Sequence, residues 1–452
     1  AIFISPHASS IERTAAQELQ RYWFAMHRDV LPVVETSPSD RNSSGFVVAV
    51  ADRLPGLPEA WPFGLDVPRD DGYILHTIRN GKQALLAITG ETPAGVQHGV
   101  YGFLESLGCG FYFGGDTIPR TAPSFDEIVK NGPHESRSPV FAVRGSLPWY
   151  NFFNSPTAWE PEDHKAYIDQ LAKMRCNFAG FHAYDSEPYA AYEFEGKPAG
   201  GEPLVNTSKP TWGTQPMSTD AFFAGTGRYF AREYFGAASS FIPDRSQAIH
   251  AAKEVLRQAF AYAKTRGLKV CLGFEINGDP FDPGTQKQFD ARFRNLLKDY
   301  PMLDYVWLWQ SEAQGVNPAI NPKARSLWKS HADRWADAFG DVKEPERREE
   351  GVRLALFALH ARQILKALRP DIQLVMSGWG GDNWLHCSDF YPGMDKVLPQ
   401  DVIFSALDDI QLSPAVSEAY GRLSPHRGRW PIVWFEWDGD QWMPQPNLRA
   451  AA

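Results

Sequence analysis

Several apolar runs of strand length in this chain end in residues able to move protons. The run from Asn177 to Tyr184 delivers His182 and Tyr184, and Leu268 to Glu275 delivers Glu275. The aromatic run beginning at Leu303 stops at Gln310, Ser311 and Glu312 before a glycine-containing loop. Val402 to Leu407 is followed by Asp408 and Asp409, and Pro431 to Trp437 carries Glu436, with Asp438 just beyond. Carboxylates gathered in one place repel, which raises the pKa of one member so that it stays protonated near neutral pH beside an ionised neighbour. An acid that protonates a leaving oxygen and a carboxylate that activates water or attacks carbon are what cleavage of a glycosidic bond requires. At any one position the alternative is an acid that caps a loop or pairs with an arginine. That alternative fits single positions better than it fits the series.

These residues share a site only if the strands that end in them lie side by side. From Val140 onward, strand-like runs alternate with helical patterns, which predicts a parallel α/β architecture. The expected strands are Val140 to Leu147, Asn177 to Tyr184, Leu268 to Glu275, Leu303 to Gln310, Ile372 to Ser377, Val402 to Leu407 and Pro431 to Trp437. An eighth is not recognisable before Ala452. We therefore expect a (β/α)₈-like TIM barrel over residues 135–452, whose active site is assembled at the C-terminal ends of its strands. The segment from Asp185 to Phe241 is rich in glycine, proline and aromatics and shows no helical period, so it is expected to cover that rim with Trp212, Lys209, Arg228 and Arg232. A second insertion, Ala313 to Glu349, is expected to form the opposite wall.

The first 125 residues read as a separate small α/β sandwich. A short strand precedes an amphipathic helix that starts at Ser9, and Gly45 to Ala51 is a buried strand. The Asn80-Gly81 pair between two apolar runs predicts a hairpin. A further helix, Thr92 to Leu107, leads to a last strand through Phe113, and Pro119 to Pro139 is expected to be a linker.

The helix Glu12-Arg-Thr-Ala-Ala-Gln-Glu-Leu-Gln-Arg21 and the stretch Gly90-Glu-Thr-Pro-Ala-Gly-Val-Gln-His-Gly-Val-Tyr-Gly-Phe-Leu-Glu-Ser-Leu-Gly108 resemble the N-terminal accessory domain of α-glucuronidases, shared with family 20-type β-hexosaminidases. The resemblance covers about residues 1–120 and implies a glycoside hydrolase barrel downstream. It implies a terminal sugar, a uronic acid by preference, cleaved from an oligosaccharide of plant or algal polysaccharide origin. By the same resemblance Glu312 is the acid, while Asp408 and Glu436 hold and deprotonate the water of an inverting reaction. The alternative, similar to the large retaining barrel clan, makes Glu436 the nucleophile and Glu312 the acid/base, but that clan carries asparagine where this chain has Ser311. A hexosaminidase using its substrate's acetamido group would need an Asp-Glu pair in place of Ser311-Glu312. A carbohydrate-binding protein on a degenerate hydrolase fold is the non-enzyme alternative.

The expected sugar contacts are Arg144, whose fork suits a uronate, with Trp149 and Tyr150, then His182, Tyr184, Glu275 and Asn277, and Trp379, Asn383 and Trp437 as flat walls. Arg144 in an internal ion pair is the competing reading, and His98 and Glu105 are read as structural. A net charge of -9 and a pI near 5.8 argue against nucleic-acid or anionic-membrane partners. No apolar run reaches the length of a membrane span, and four scattered cysteines form no metal-type grouping. No metal and no organic cofactor are expected, the partner is a saccharide chain end, and an extracytoplasmic location is expected from substrate size.

Overall fold

The computed structural model describes residues 1–36, 43–53, 66, 68–148, 156, 159–184, 187–201, 239, 242–276, 278–310, 330–331, 333–343, 345–379, 387–408, 418 and 421–433. The chain divides into two compact units. The first comprises residues 1–146, 165–179 and 261–268; the second comprises residues 147–164, 180–260 and 269–452.

The first unit contains β1 (Ile2–Phe3), α1 (Ser10–His27), β2 (Val33–Val34), β3 (Gly45–Val50), β4 (Tyr73–Asn80), β5 (Gln83–Gly90) and α2 (Pro93–Ser106). After these come β6 (Gly110–Tyr112), β7 (Gly115–Thr117), α3 (Phe125–Asn131), β8 (His134–Arg137) and β9 (Gly145–Ser146). Its main sheet runs β2-β1-β3-β5-β4-β8. Helix α1 begins where Ser9 and Glu12 cap each other, satisfying backbone N–H groups the helix cannot. Its apolar stripe, Ala15, Leu19, Tyr22 and Trp23, is buried in one core with Val96, Val100 and Leu104 of α2 and Phe46 and Ile88 of the sheet. The expected hairpin is present: Asn80 pairs with Gln83 across Gly81 and Lys82, and Gly81 takes the left-handed φ of 60° that the turn requires. The glycines of α2 let it approach the sheet closely. A Cβ at Gly99 would lie 2.8 Å from Ile88 Cγ2 and 3.1 Å from Tyr73 Cβ.

Two expectations for this region change. Among the described residues, the strand at Gly110–Tyr112 pairs only with β7 in a two-stranded ribbon, and the last strand of the main sheet is β8, from the stretch read as a linker. Its sequence, His-Glu-Ser-Arg, carries no apolar signal because an edge strand can be held by its backbone bonds on one side alone. The helix before it was readable, since Ser124 and Glu127 form a second capping box.

The rest of the chain supplies α4 (Pro161–Lys173), β10 (Phe178–Ala183), β11 (Tyr192–Phe194), β12 (Lys197–Ala199), α5 (Arg245–Thr265) and β13 (Lys269–Ile276). It continues with α6 (Pro283–Asp299), β14 (Tyr305–Gln310), α7 (Pro345–Leu368), β15 (Gln373–Trp379), α8 (Cys387–Val397), β16 (Ile403–Asp408) and β17 (Arg429–Val433). A seven-stranded sheet runs β17-β16-β15-β14-β13-β10-β9, and β13 through β17 are parallel, neighbour to neighbour in chain order. That is the α/β alternation expected, and every strand falls within a few residues of its predicted place. The first is much shorter than predicted, reduced to Gly145–Ser146. No eighth strand of this sheet lies among the described residues.

Side chains on this sheet alternate between two environments, as the period of a strand requires. Phe181 meets Phe260 of α5, Phe274 meets Phe293 of α6, and Phe404 meets Tyr391 of α8. The other face is a ladder of indoles and phenol: Tyr305 and Trp307 contact Trp430, and Trp307 stacks on Trp309 at 5.7 Å. Among the described residues, no helix is long and apolar enough to cross a membrane.

Candidate active site

Parallel pairing sets the C-terminal ends of the strands side by side. Glu275 stands opposite Trp309, Trp309 opposite Ser377, and Ser377 opposite Ser405, so these four share one level and one face of the sheet. The Ser377 and Ser405 hydroxyls meet at 3.3 Å. His182, near the end of β10, reaches the same face, its ring edge-on to Trp309 at 5.5 Å and to Tyr184 at 5.2 Å. His182 is fully buried. Burial first, and the nearby Arg292 cation second, hold its pKa well below the usual imidazole value, so it is neutral at physiological pH. Arg292 of α6 lies over the Phe274 ring at 3.9 Å and directs Nη1 to the Glu275 carbonyl.

One carboxyl here was not foreseen. Beyond β10 the chain turns back on itself: the Glu187 N–H donates to the Tyr184 carbonyl at 3.0 Å, and the Tyr184 N–H donates to Glu187 Oε2 at 2.8 Å. The double closure brings the Glu187 side chain back to the end of β10, where only 4% of the residue is exposed. Its carboxyl is pushed well above the usual range by burial, which outweighs the opposing Tyr184 N–H bond, with the negative charge of Glu275 a smaller contribution. The sequence signal was an acid three residues past the strand end, in Tyr184-Asp-Ser-Glu-Pro188. Assigning everything from Asp185 onward to an insertion hid it.

The predicted site residues divide into four groups. His182, Tyr184 and Glu275 lie together as described. Asp408 ends β16 opposite Val433, and Trp379 ends β15 opposite Leu407, so both strands terminate on the same edge of the sheet as β13. Glu312, Glu436, Trp149, Tyr150, Asn277, Asn383 and Trp437 lie outside the described residues, as do Asp409 and most of the two insertions. Gln310, two residues before Glu312, is buried at the end of β14.

Arg144 belongs to a different environment, in the first unit. Its Nε donates to the Arg175 carbonyl, Nη1 to the Phe141 carbonyl and Nη2 to Asp71 at 2.8 Å. The guanidinium fork drawn for a uronate is committed to an internal ion pair, the competing reading of that residue. His98 joins the same group, its Nδ1 3.1 Å from the Asp71 carbonyl oxygen, and Glu105 pairs with Arg175. Both are structural, as expected.

Residues 1–103 match the family described as Glycosyl hydrolase family 67 N-terminus. The opening of this chain is therefore the kind of domain its sequence resembles. No curated protein matches the chain. Among solved structures, a GH138 enzyme targeting pectin rhamnogalacturonan II aligns with 90% of this chain at 10% identity and a TM-score of 0.46. The GH20 β-N-acetylhexosaminidase from Streptomyces coelicolor A3(2) aligns with 96% at 14% identity, and CpGH84B with 93% at 11%, both also at a TM-score of 0.46. The chain spans 38%, 70% and 56% of these three proteins respectively.

Proposed function

We propose that this protein is a glycoside hydrolase that removes a terminal sugar, a uronic acid by preference, from an oligosaccharide derived from a plant or algal polysaccharide. The observation that carries the reading is the family 67 N-terminal match over residues 1–103, followed in the chain by a parallel sheet in which β13 carries Glu275 next to its end and β16 ends in Asp408. In this reading the C-terminal edge of the sheet is the rim of a (β/α)₈ barrel. Glu312 protonates the leaving oxygen, and Asp408 with Glu436 orients and deprotonates the attacking water, so the anomeric configuration inverts. His182, neutral, and Tyr184 offer hydrogen bonds to ring hydroxyls, and the indole ladder supports the floor beneath them.

The test is a digestion panel of uronic-acid-capped, N-acetylated and neutral oligosaccharides with wild type and Glu312→Gln, the first anomer released being followed by proton NMR. Release of a uronic acid by wild type, reduced by a factor of about 10² to 10⁴ in Glu312→Gln, is the expected result. Equal rates in both proteins would remove Glu312 from the mechanism. A retained anomer would make Glu436 a nucleophile.

A further inference from the structure

Two buried arginines reach the C-terminal end of β13 from successive helices, and what they hold is backbone. Arg292 of α6 directs Nη1 to the Glu275 carbonyl at 3.4 Å, and Arg353 of α7 directs Nη1 to the Gly278 carbonyl at 3.2 Å. Arg353 is aimed from within its own helix. Its Nε and Nη2 form a two-pronged pair with the Glu350 carboxylate at 2.8 and 2.7 Å, and the guanidinium lies over the Phe357 ring at 5.5 Å. A buried ion pair of this kind is a poor source of stability, because desolvation offsets most of the attraction. Glu350 and Arg353 lie one turn apart on one helix, so their pair joins no distant segments. The Gly278 bond does: it ties α7 to a loop 75 residues earlier in the chain.

That loop, between β13 and α6, is a unit. Gly278 takes a φ of 90°, and a Cβ there would lie 2.9 Å from Thr285 Cγ2, so the chain turns tightly against the start of α6. The Phe281 N–H donates to Asp279 Oδ1 at 2.9 Å, the Asp282 N–H donates to the Asp279 carbonyl at 3.1 Å, and Asp282 caps α6 through the Thr285 N–H at 2.7 Å. Fixing the Gly278 carbonyl therefore fixes the loop as a whole, and with it the last residues of β13. We propose that Arg353, held by Glu350, is a positioning residue for saccharide binding: through Gly278 it sets the loop after β13, and the Glu275 end of that strand, against the sugar. The role rests on the glycosidase reading above, and Arg353 acts through the backbone without touching the sugar.

Two measurements decide this, one of which does not depend on activity. Combining Glu350→Met with Arg353→Met removes both charges at once, so that neither is left buried alone, and the thermal midpoint should stay close to that of wild type. In hydrogen–deuterium exchange the Phe281 and Asp282 amides of this variant should exchange about tenfold faster or more, while amides in the second half of α7 keep their wild-type rates. Unchanged exchange in the loop overturns the assignment whether or not any saccharide is cleaved. In the digestion assay the variant should raise KM about tenfold, the worth of one misplaced hydrogen bond, with kcat within about twofold of wild type. A merely structural pair would behave otherwise, since loss of folded protein lowers apparent kcat and leaves KM alone. That outcome, or unchanged kinetics, also overturns the positioning role. Should the double variant not fold, Arg353→Lys carries the same two readouts, because an ammonium keeps the charge beside Glu350 without the planar fork that serves Glu350 and Gly278 together. A panel on which wild type releases nothing would sink the glycosidase reading and the binding role with it, and the exchange rates would still decide whether Arg353 sets the loop.

Discussion

Asp71 and Glu187 are both buried acids next to further polar groups, and they are treated in opposite ways. Around Asp71, in the first unit, Oδ2 gathers donors and a potential cation, Arg144 at 2.8 Å, Asn177 at 3.1 Å and His98 at 3.3 Å, while Oδ1 is buried without a hydrogen-bond partner. Asp116, in the same unit, likewise collects Lys173, Gln170 and Tyr22. Glu187, in the second unit, has a backbone N–H on one oxygen and another carboxylate as its charged neighbour. Opposite charges tie chain segments together, and removing one partner strands the other. Like charges lower stability and are kept where a proton must be held ready. Polar burial in the first unit ties chain segments together; at the ends of β10 and β13 it surrounds the residues proposed to hold the sugar.

The largest expected effect tests the architectural half. Asp71→Ala leaves the half-buried Arg144 without its counter-ion and should cost about 1–3 kcal/mol in urea unfolding, with the pH profile of sugar release unchanged. A change below about 1 kcal/mol would mean that the Asp71 group contributes no more than a surface pair.

His164 comes next. It is buried in the second unit, with Nδ1 3.0 Å from the Glu160 carbonyl oxygen and its ring against Phe181, and burial lowers its pKa to about 4. The unfolded chain binds a proton near pH 6.5 and the folded chain does not, so stability falls as pH drops from about 6.5 towards 4 and then levels off. The full change is on the order of 3 kcal/mol. Unfolding curves at pH 7 and 4.5 should separate by less in His164→Gln than in wild type.

A smaller effect tests the chemical half. Glu275→Gln should raise stability by up to about 1 kcal/mol, because it relieves the crowding with Glu187, while slowing sugar release. Loss of stability together with loss of activity would make Glu275 architectural, like Asp71.

The smallest effect is local. His76 and His134 are opposed across β4 and β8, their Nδ1 atoms 2.8 Å apart, and partial burial followed by the His134 charge lowers the His76 pKa. In an NMR titration His134→Asn should move the His76 midpoint upward; an unmoved midpoint would show the two rings to be uncoupled.

Much of this molecule was legible before its structure. The parallel strands announced themselves as apolar runs, since burial on both faces demands them, and the capping box at Ser9, the Asn80-Gly81 turn and the glycines of α2 each name their own local geometry. What could not be read locally was the edge strand β8, which carries no apolar period, and the partner chosen by each charged side chain. Arg144 could serve a substrate or an ion pair on its sequence alone, and only folding, which brings Asp71 to it from 73 residues away, decided between them. Glu187 was equally silent, because its proton affinity comes from burial and from Glu275, 88 positions along the chain (275 minus 187). Sequence by itself determined the elements and their order, because backbone geometry and apolar periodicity are local. Which charges meet, and therefore which of them hold protons, was decided by the tertiary structure, because Coulomb interaction and desolvation depend on distance in space.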